Sequence, residues 1–293
     1  LLARQGIDVL SHSPPPGGPI PVLSWIPDFQ HRHLPELFSR SERLLRELEI
    51  RRAVARAERV IVSSADALSD LRARAPQARG RVLHFVPAPP PSPDPAQTAA
   101  LLERLGLERF VHLPNQVWAH KNHAVVVEAL GVLRERGRDD VVVACTGDTR
   151  DYRDPGLLDE LGARAQALGV GDRMRMLGRL PYGEVVALMH AAVALLNPSL
   201  FEGWSTTVEE AKSIGKRVVL SDIPVHREQA PPDGRYFDPR DPQGLADALA
   251  ETWDAFDPAA ERRRAARAAA ELPARRAAFA AAYRAVVGEV APC

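Results

Sequence analysis

The 293 residues carry 38 lysines and arginines against 38 aspartates and glutamates, with 45% hydrophobic residues. Balanced charge gives no bulk field towards nucleic acid or an anionic polymer, and no apolar run approaches the roughly 18 residues of a membrane span. Of the two cysteines, Cys145 sits in a predicted strand and Cys293 at the chain's end, which argues against a zinc site or disulfide framework and suits a reducing, cytoplasmic setting.

The chain opens on Leu1-Leu2 and runs to Val9-Leu10 without a methionine or signal-peptide pattern. It reads as the end of a helix feeding a strand, so the sequence is expected to begin inside a domain. Residues 20–26 form a short apolar strand and 27–36 a loop. Ser39 begins a long helix, its spacing to Glu42 that of a capping box, with Leu44, Leu45, Leu48, Val54 and Ala55 apolar among charges. A strand over 60–62, a helix capped by Ser64 or Asp66 and a strand over 82–86 complete a βαβ alternation, which implies a parallel sheet.

Six prolines among the nine residues 87–95 predict a stiff, extended connector; the alternative is a proline-rich partner-binding motif. The domain boundary falls here, giving an N-terminal domain over 1–90, a second over 91–258 and C-terminal helices over 259–293. In the second domain, strands are expected at 110–113, 141–146, 174–177, 193–196 and 218–220. Helices are expected at 122–136, 155–168, 182–191, 206–213 and 241–256. This alternation is that of a doubly wound α/β sheet. The Ala/Arg-rich terminal segment 259–290 is helical by propensity, and Leu272-Pro273 should break it in two.

Ligands of open parallel sheets bind beyond the carboxyl ends of the strands, and polar, glycine-bearing loops follow the predicted strands here. One carries Asn115 and Gln116, then Lys121 flanked by His120 and His123. Others carry Gly147-Asp148, Gly178-Arg179-Leu180 and Ser221-Asp222. Lys121 precedes Asn122, the expected N-cap of a helix, where a mobile point charge beside backbone donors suits a phosphate; the alternative is a solvated lysine. Two histidines without further convergent ligands do not make a zinc site.

The densest stretch is 197–215. Glu202 and Glu210 stand eight positions apart, with Gly203, Ser205, Thr206 and Thr207 between them where a helix N-terminus offers free N–H groups to an anion. Thr206 and Glu209 have capping-box spacing, leaving Glu202 and Glu210 as the functional pair. On a continuous helix they would lie about 12 Å apart. That is too far for a glycosidase pair at about 5–9.5 Å, but suited to gripping two parts of an elongated ligand. The alternative is two surface glutamates.

The run Phe201-Glu202-Gly203-Trp204 through Glu210-Ala211 to Val219 resembles the glutamate–seven–glutamate signature of retaining GT-B glycosyltransferases, the group 1 or family 4 set. The resemblance extends over 97–257 and includes His120-Lys121-Asn122-His123, Leu177-Gly178-Arg179-Leu180, Asn197-Pro198-Ser199, the 223–228 segment and Tyr236-Phe237. The 28–38 stretch, with Asp28, His31 and His33, resembles an acceptor-side loop of the family.

What the resemblance implies is a fold of two facing Rossmann-like domains, the first N-terminally incomplete, and transfer of a hexose from a nucleotide-diphosphate sugar to an acceptor hydroxyl. Lys121 and the N–H groups of Trp204, Ser205 and Thr206 would hold the diphosphate, Glu210 the ribose, and Glu202 would hold hydroxyls of the transferred sugar or support charge near its anomeric carbon. Gly178, Arg179 and Leu180 would line the base pocket, and Asp28 and His31 would face the acceptor, a structural role being the alternative for the histidines. The terminal helix would brace the first domain. Where the family often places an arginine before the lysine, this chain has Asn115 and Gln116, which must serve with uncharged bonds. The Pro14 to Gly18 loop comes too late to be the family's opening glycine-rich loop. No cofactor or metal is implied. Expected partners are the donor and a saccharide or lipid-linked acceptor, with no nucleic acid and no transmembrane segment, peripheral membrane contact being compatible. The other readings are a GT-B nucleotide-sugar 2-epimerase or phosphorylase, and a degenerate or truncated nucleotide-sugar-binding module without turnover.

Overall fold

A computed structural model describes residues 6–13, 18, 20–88 and 90–291. The expected helix end before Gly6, the loop from Pro14 apart from Gly18, and Cys293 lie outside the described residues. The chain forms two compact units. The first comprises Leu1–Val86, Glu202–Trp204 and Pro273–Cys293, the second Pro87–Phe201 and Ser205–Leu272.

In the first unit, strands β1 (Leu10–Ser11), β2 (Val22–Trp25), β3 (Arg59–Val62) and β4 (Gly80–Val82) lie side by side in chain order, all parallel. Alternate residues of a strand face opposite sides, and β3 uses both. Val60 and Val62 join Ile26, Phe29, Ile50, Ala53 and Leu71 on one side. Ile61 joins Leu23, Leu83 and Val286 on the other, with Phe279 and Tyr283 against them. The expected loop over 27–36 is partly helical: α1 (Gln30–His33) and a 3-10 turn (Pro35–Leu37) occupy it. Asp28 starts this turn by accepting the Gln30 N–H at 2.9 Å. The strand expected over 82–86 ends at Val82.

Helix α2 (Arg40–Arg56) starts on the expected capping box, with Ser39 Oγ accepting from Glu42 N and Glu42 accepting the Ser39 N–H. Its leucines do not supply the buried stripe: Leu44, Leu45 and Leu48 are 71%, 54% and 40% exposed, and the helix rests on Ile50 and Ala53. The physical reason is Glu47, which accepts from His31 at 3.0 Å, Arg32 at 2.6 Å and Arg74 at 3.1 Å. These bonds turn its face inward and the leucines outward. Burial alone would raise the Glu47 carboxyl, but hydrogen bonds from Arg32, His31 and Arg74 hold it at about 2. A depressed carboxylate stabilises the fold above its unfolded value, near 4.5, and loses that contribution as pH falls towards 2. Glu47→Gln is therefore expected to lower stability by about 1 kcal/mol at neutral pH. The gap from the parent protein should close in urea titrations taken between about pH 4.5 and pH 2; a gap that stays constant with pH would contradict the assignment.

Helix α3 (Ala65–Arg74) is capped by Ser64, whose Oγ accepts from Ala67 N at 3.1 Å. The proline stretch does not stay extended to its end. Pro95 is the first residue of α4 (Pro95–Leu105), capped by Asp94 accepting from Gln97 N, a position where proline's missing N–H costs nothing.

The second unit is a six-stranded parallel sheet: β5 (Val111–Leu113), β6 (Val143–Thr146), β7 (Met174–Gly178), β8 (Leu195–Asn197), β9 (Val218–Ser221) and β10 (Arg235–Phe237), in the order β10-β9-β8-β5-β6-β7. Its helices are α5 (His123–Glu135), α6 (Leu157–Ala167), α7 (Tyr182–Ala191), α8 (Thr206–Ile214), α9 (Pro224–Gln229) and α10 (Pro242–Asp254). One apolar layer, built from α5, α6 and α10, covers one face of the sheet, and a second, from α4, α7 and α8, covers the other. Three-layer burial of this kind is what parallel strands require. The short α9 and β10 lack a long apolar period and were not among the expected elements.

Helix α11 (Pro258–Gly288) continues through Pro273, against the expected break. Proline in a helix interior costs about 3 kcal/mol. Packing on both sides offsets it: Ala268 and Leu272 are buried before the proline, Val286 after it.

Candidate functional site

The chain runs from β5 to β6 and β7 on one side, then returns to lay β8 against the other side of β5. Strand order reverses between β5 and β8, and such a reversal opens a crevice beyond the carboxyl ends of the strands. From β5 leaves the loop bearing Lys121; from β8 leaves the segment leading to α8.

Asn197, fully buried at the end of β8, ties these loops together. Its Oδ1 accepts from Asn115 Nδ2 at 3.1 Å and Ser199 Oγ at 2.7 Å, and its Nδ2 donates to Ser205 Oγ at 2.7 Å. Leu200 N donates to His120 O at 2.8 Å. Gly147, at the end of β6, sits at φ 144°, and a Cβ there would stand 2.6 Å from Asn115 O and 2.8 Å from Gln116 Cα. Its N–H donates to Gly178 O at 2.9 Å. Asn115, Gln116, Gly147, Gly178 and Ser205 are thus assembled at one end of the second sheet. Gln116 and Arg179 are exposed there, while Leu180 packs partly into the apolar layer of α7 and α8.

Lys121 closes a 3-10 turn (Ala119–Lys121). Buried Asp151 holds that turn, accepting Ala119 N at 3.1 Å. Burial raises the Asp151 carboxyl, but bonds from Arg153 and the Ala119 N–H prevail and hold it below the usual range. Arg153 lies over the Trp118 ring. Asp151 and Arg153 were missed in the sequence; their one signal is an acid and a base two apart just beyond β6. Asn122 stands before α5 as expected but does not cap it. At φ 57° it donates instead to Pro198 O and Pro239 O, at 3.1 and 2.8 Å. His123 is fully buried and its imidazole is pushed down to about 3, chiefly by burial and then by the Lys121 cation, so it stays neutral.

The capping box expected from Thr206 and Glu209 does not form. Ser205 is the N-cap, its Oγ accepting Val208 N at 3.4 Å, which places Glu209 one position past the box. Glu209 is buried and accepts from Lys212 Nζ and Gln229 Nε2. Gln229 Oε1 also accepts the Ser205 N–H at 3.3 Å, so that donor, expected to face a phosphate, is already engaged. Glu210 is half-buried and accepts from Tyr182 Oη at 2.8 Å. Burial raises its carboxyl and the Tyr182 bond opposes this. Tyr182 and Gln229 are further residues that no motif marked.

Glu202, Gly203 and Trp204 group with the first unit, so the two glutamates of the motif belong to different units. A Cβ on Gly203 would lie 2.2 Å from Pro27 O. Trp204 stacks on His84 with centroids 4.7 Å apart and donates Nε1 to Phe85 O. In the same unit, Asp28 accepts from Arg46 at 3.1 Å. His31 is 3% exposed and paired with Glu47, and its Nδ1 has no partner. His33 pairs with Asp70 at 2.7 Å. Among the described residues no group of three or more His, Cys, Asp or Glu converges on a metal position, and no helix is long and apolar enough to cross a membrane.

The family model for "Glycosyl transferases group 1" matches residues 107–271, more than half of the chain. Among solved structures, Anabaena Alr3699/HepE in complex with UDP and glucose is similar at 18% identity, over 92% of this chain and 71% of that one, with a TM-score of 0.70. Sucrose-phosphate synthase from Thermosynechococcus elongatus is similar at 17% identity, over 98% and 76%, with a TM-score of 0.74. A glycosyltransferase from Rickettsia africae is similar at 14% identity, over 99% and 78%, also at 0.74. These likenesses establish the fold as GT-B. No curated protein matches the chain by sequence.

Proposed function

Because the chain belongs to the group 1 glycosyl transferases, we propose that this glycosyltransferase moves a hexose of the mannose or glucose type from a nucleotide-diphosphate sugar to an acceptor hydroxyl, with retention at the anomeric carbon. The observation that carries the reading is the strand-order reversal between β5 and β8, where the loop of Lys121 and the start of α8 are tied through Asn197. Solved structures of Alr3699/HepE hold UDP, UDP with glucose, and UDP-glucose, which supports a nucleotide sugar as donor here.

In this reading Lys121 supplies the point charge for the diphosphate and the N-terminus of α8 its partial positive charge. Glu210, oriented by Tyr182, accepts from ribose hydroxyls, and Glu202 from hydroxyls of the sugar. The bond from the anomeric carbon to the diphosphate oxygen breaks as the acceptor oxygen bonds on the same face. The acceptor's proton passes to the departing diphosphate. The protein's work is then electrostatic, stabilising charge that grows on the leaving group. No step uses a metal or other cofactor. Buried, unpaired Cys145 suits the proposed cytoplasmic setting.

A bound nucleotide stabilises only the native state, by about 2.7 kcal/mol at a hundredfold excess over Kd. In a thermal-shift panel of UDP, GDP and ADP, one diphosphate is expected to raise the melting temperature by several degrees. No shift with any of them would remove the donor site. Incubation with labelled donor separates transfer from isomerisation, because product formed without acceptor would overturn the transferase reading.

A further inference from the structure

The first unit contains a cavity of about 690 Å³ whose lining the donor chemistry does not use. It opens beyond the carboxyl ends of β1 and β2, where His12 and Trp25 stand, and is walled on the other side by α2. This is the end of a parallel sheet at which ligands bind.

Two features of the lining point to one ligand chemistry. Trp25 is 41% exposed although its Nε1 is anchored to Ser63 Oγ at 3.1 Å, so a fixed indole presents apolar surface to the cavity, as suits a sugar ring. Arg46, Arg52 and Arg56 line the wall from α2. Arg46 is held by Asp28 at 3.1 Å and lies over the Phe38 ring. Arg52 and Arg56, one helical turn apart, have no carboxylate in reach among the described residues, which leaves two guanidinium forks for a bidentate anion. The lining carboxylates do not cancel the arginines: Asp28 is engaged by Arg46 and Gln30, and Glu49 remains to accept sugar hydroxyls.

We infer that this cavity is the acceptor subsite and that it takes a saccharide bearing an anionic group, the ring on Trp25 and the anion on Arg52 and Arg56. This rests on the transferase reading for the word acceptor, while the binding itself does not. The anion is a carboxylate or a phosphate on the sugar, and separate probes distinguish them.

The test uses the full chain and the indole N–H resonances of its four tryptophans, that of Trp25 assigned through Trp25→Phe. Titration with glucuronic acid and with glucose 6-phosphate is expected to move the Trp25 signal in at least one case, and glucose at equal concentration to leave it in place. The double variant Arg52→Gln/Arg56→Gln alters exposed side chains only and should weaken the anionic ligand at least tenfold, while leaving the melting temperature and the nucleotide-induced thermal shift unchanged. The inference is overturned if neither anionic sugar moves the signal, if glucose moves it equally, if inorganic phosphate binds as tightly as glucose 6-phosphate, or if the double variant binds like the parent. Loss of the nucleotide shift in the parent protein would count against the donor site alone, so the two failures are distinguishable.

Discussion

Gly147→Ala is expected to cost about 2–5 kcal/mol of stability and to abolish nucleotide binding. Two penalties coincide at this position. A φ of 144° is one that side-chain-bearing residues rarely adopt, and the added methyl would stand 2.6 Å from Asn115 O and 2.8 Å from Asn115 C. Those are backbone atoms, so relief requires moving the β5 loop itself, and that loop carries Lys121. Gly178→Ala is the control. It has φ 68° with nothing within 4 Å of the added carbon, so it bears only the left-handed penalty of about 1–2 kcal/mol. Urea unfolding of both variants decides the point: equal losses would mean that close approach of the β5 and β6 loops is not what Gly147 provides.

Lys121→Ala and Glu210→Ala are each expected to weaken nucleotide-diphosphate binding by about 1–3 kcal/mol, on the order of 5- to 150-fold in Kd. Each removes a bond to a charged group and leaves the fold intact, since neither side chain belongs to an apolar layer. Glu210→Gln sharpens the reading, because an amide still accepts from Tyr182 and from a ribose hydroxyl, so its loss should be the smaller one. Calorimetry giving unchanged affinity in both alanine variants would remove the proposed donor site.

Much of the second unit was legible because its signals are local. Short apolar runs mark β5 to β9, and α7 occupies the predicted 182–191. What was not legible depends on partners distant in sequence. Leu44, Leu45 and Leu48 looked like a core stripe until Glu47 met His31, Arg32 and Arg74. Pro273 looked like a helix end because local preference carries no record of the burial of Leu272 and Val286. At the candidate site, glycine and charged motifs marked loops that the fold gathers at one end of the second sheet, but bonds such as Gln229 to Ser205 or Tyr182 to Glu210 span 24 and 28 residues. No spacing rule connects residues that far apart. Spacing alone makes Glu209 a helix cap and leaves Glu202 and Glu210 as a pair; in the fold Glu209 is engaged differently, by Lys212 and Gln229.

Asn197 also bears on how the site ages. Asparagine converts to aspartate over time mainly when the next residue's backbone nitrogen attacks the side-chain carbonyl and closes a five-membered ring. Here the next residue is Pro198, whose nitrogen has no hydrogen to lose. A carboxylate at 197 would be unable to donate to Ser205, and the tie between the β8 end and the start of α8 would be lost. The proline closes that chemical route, so the buried amide that aligns the two loops is a durable part of the enzyme over its working life.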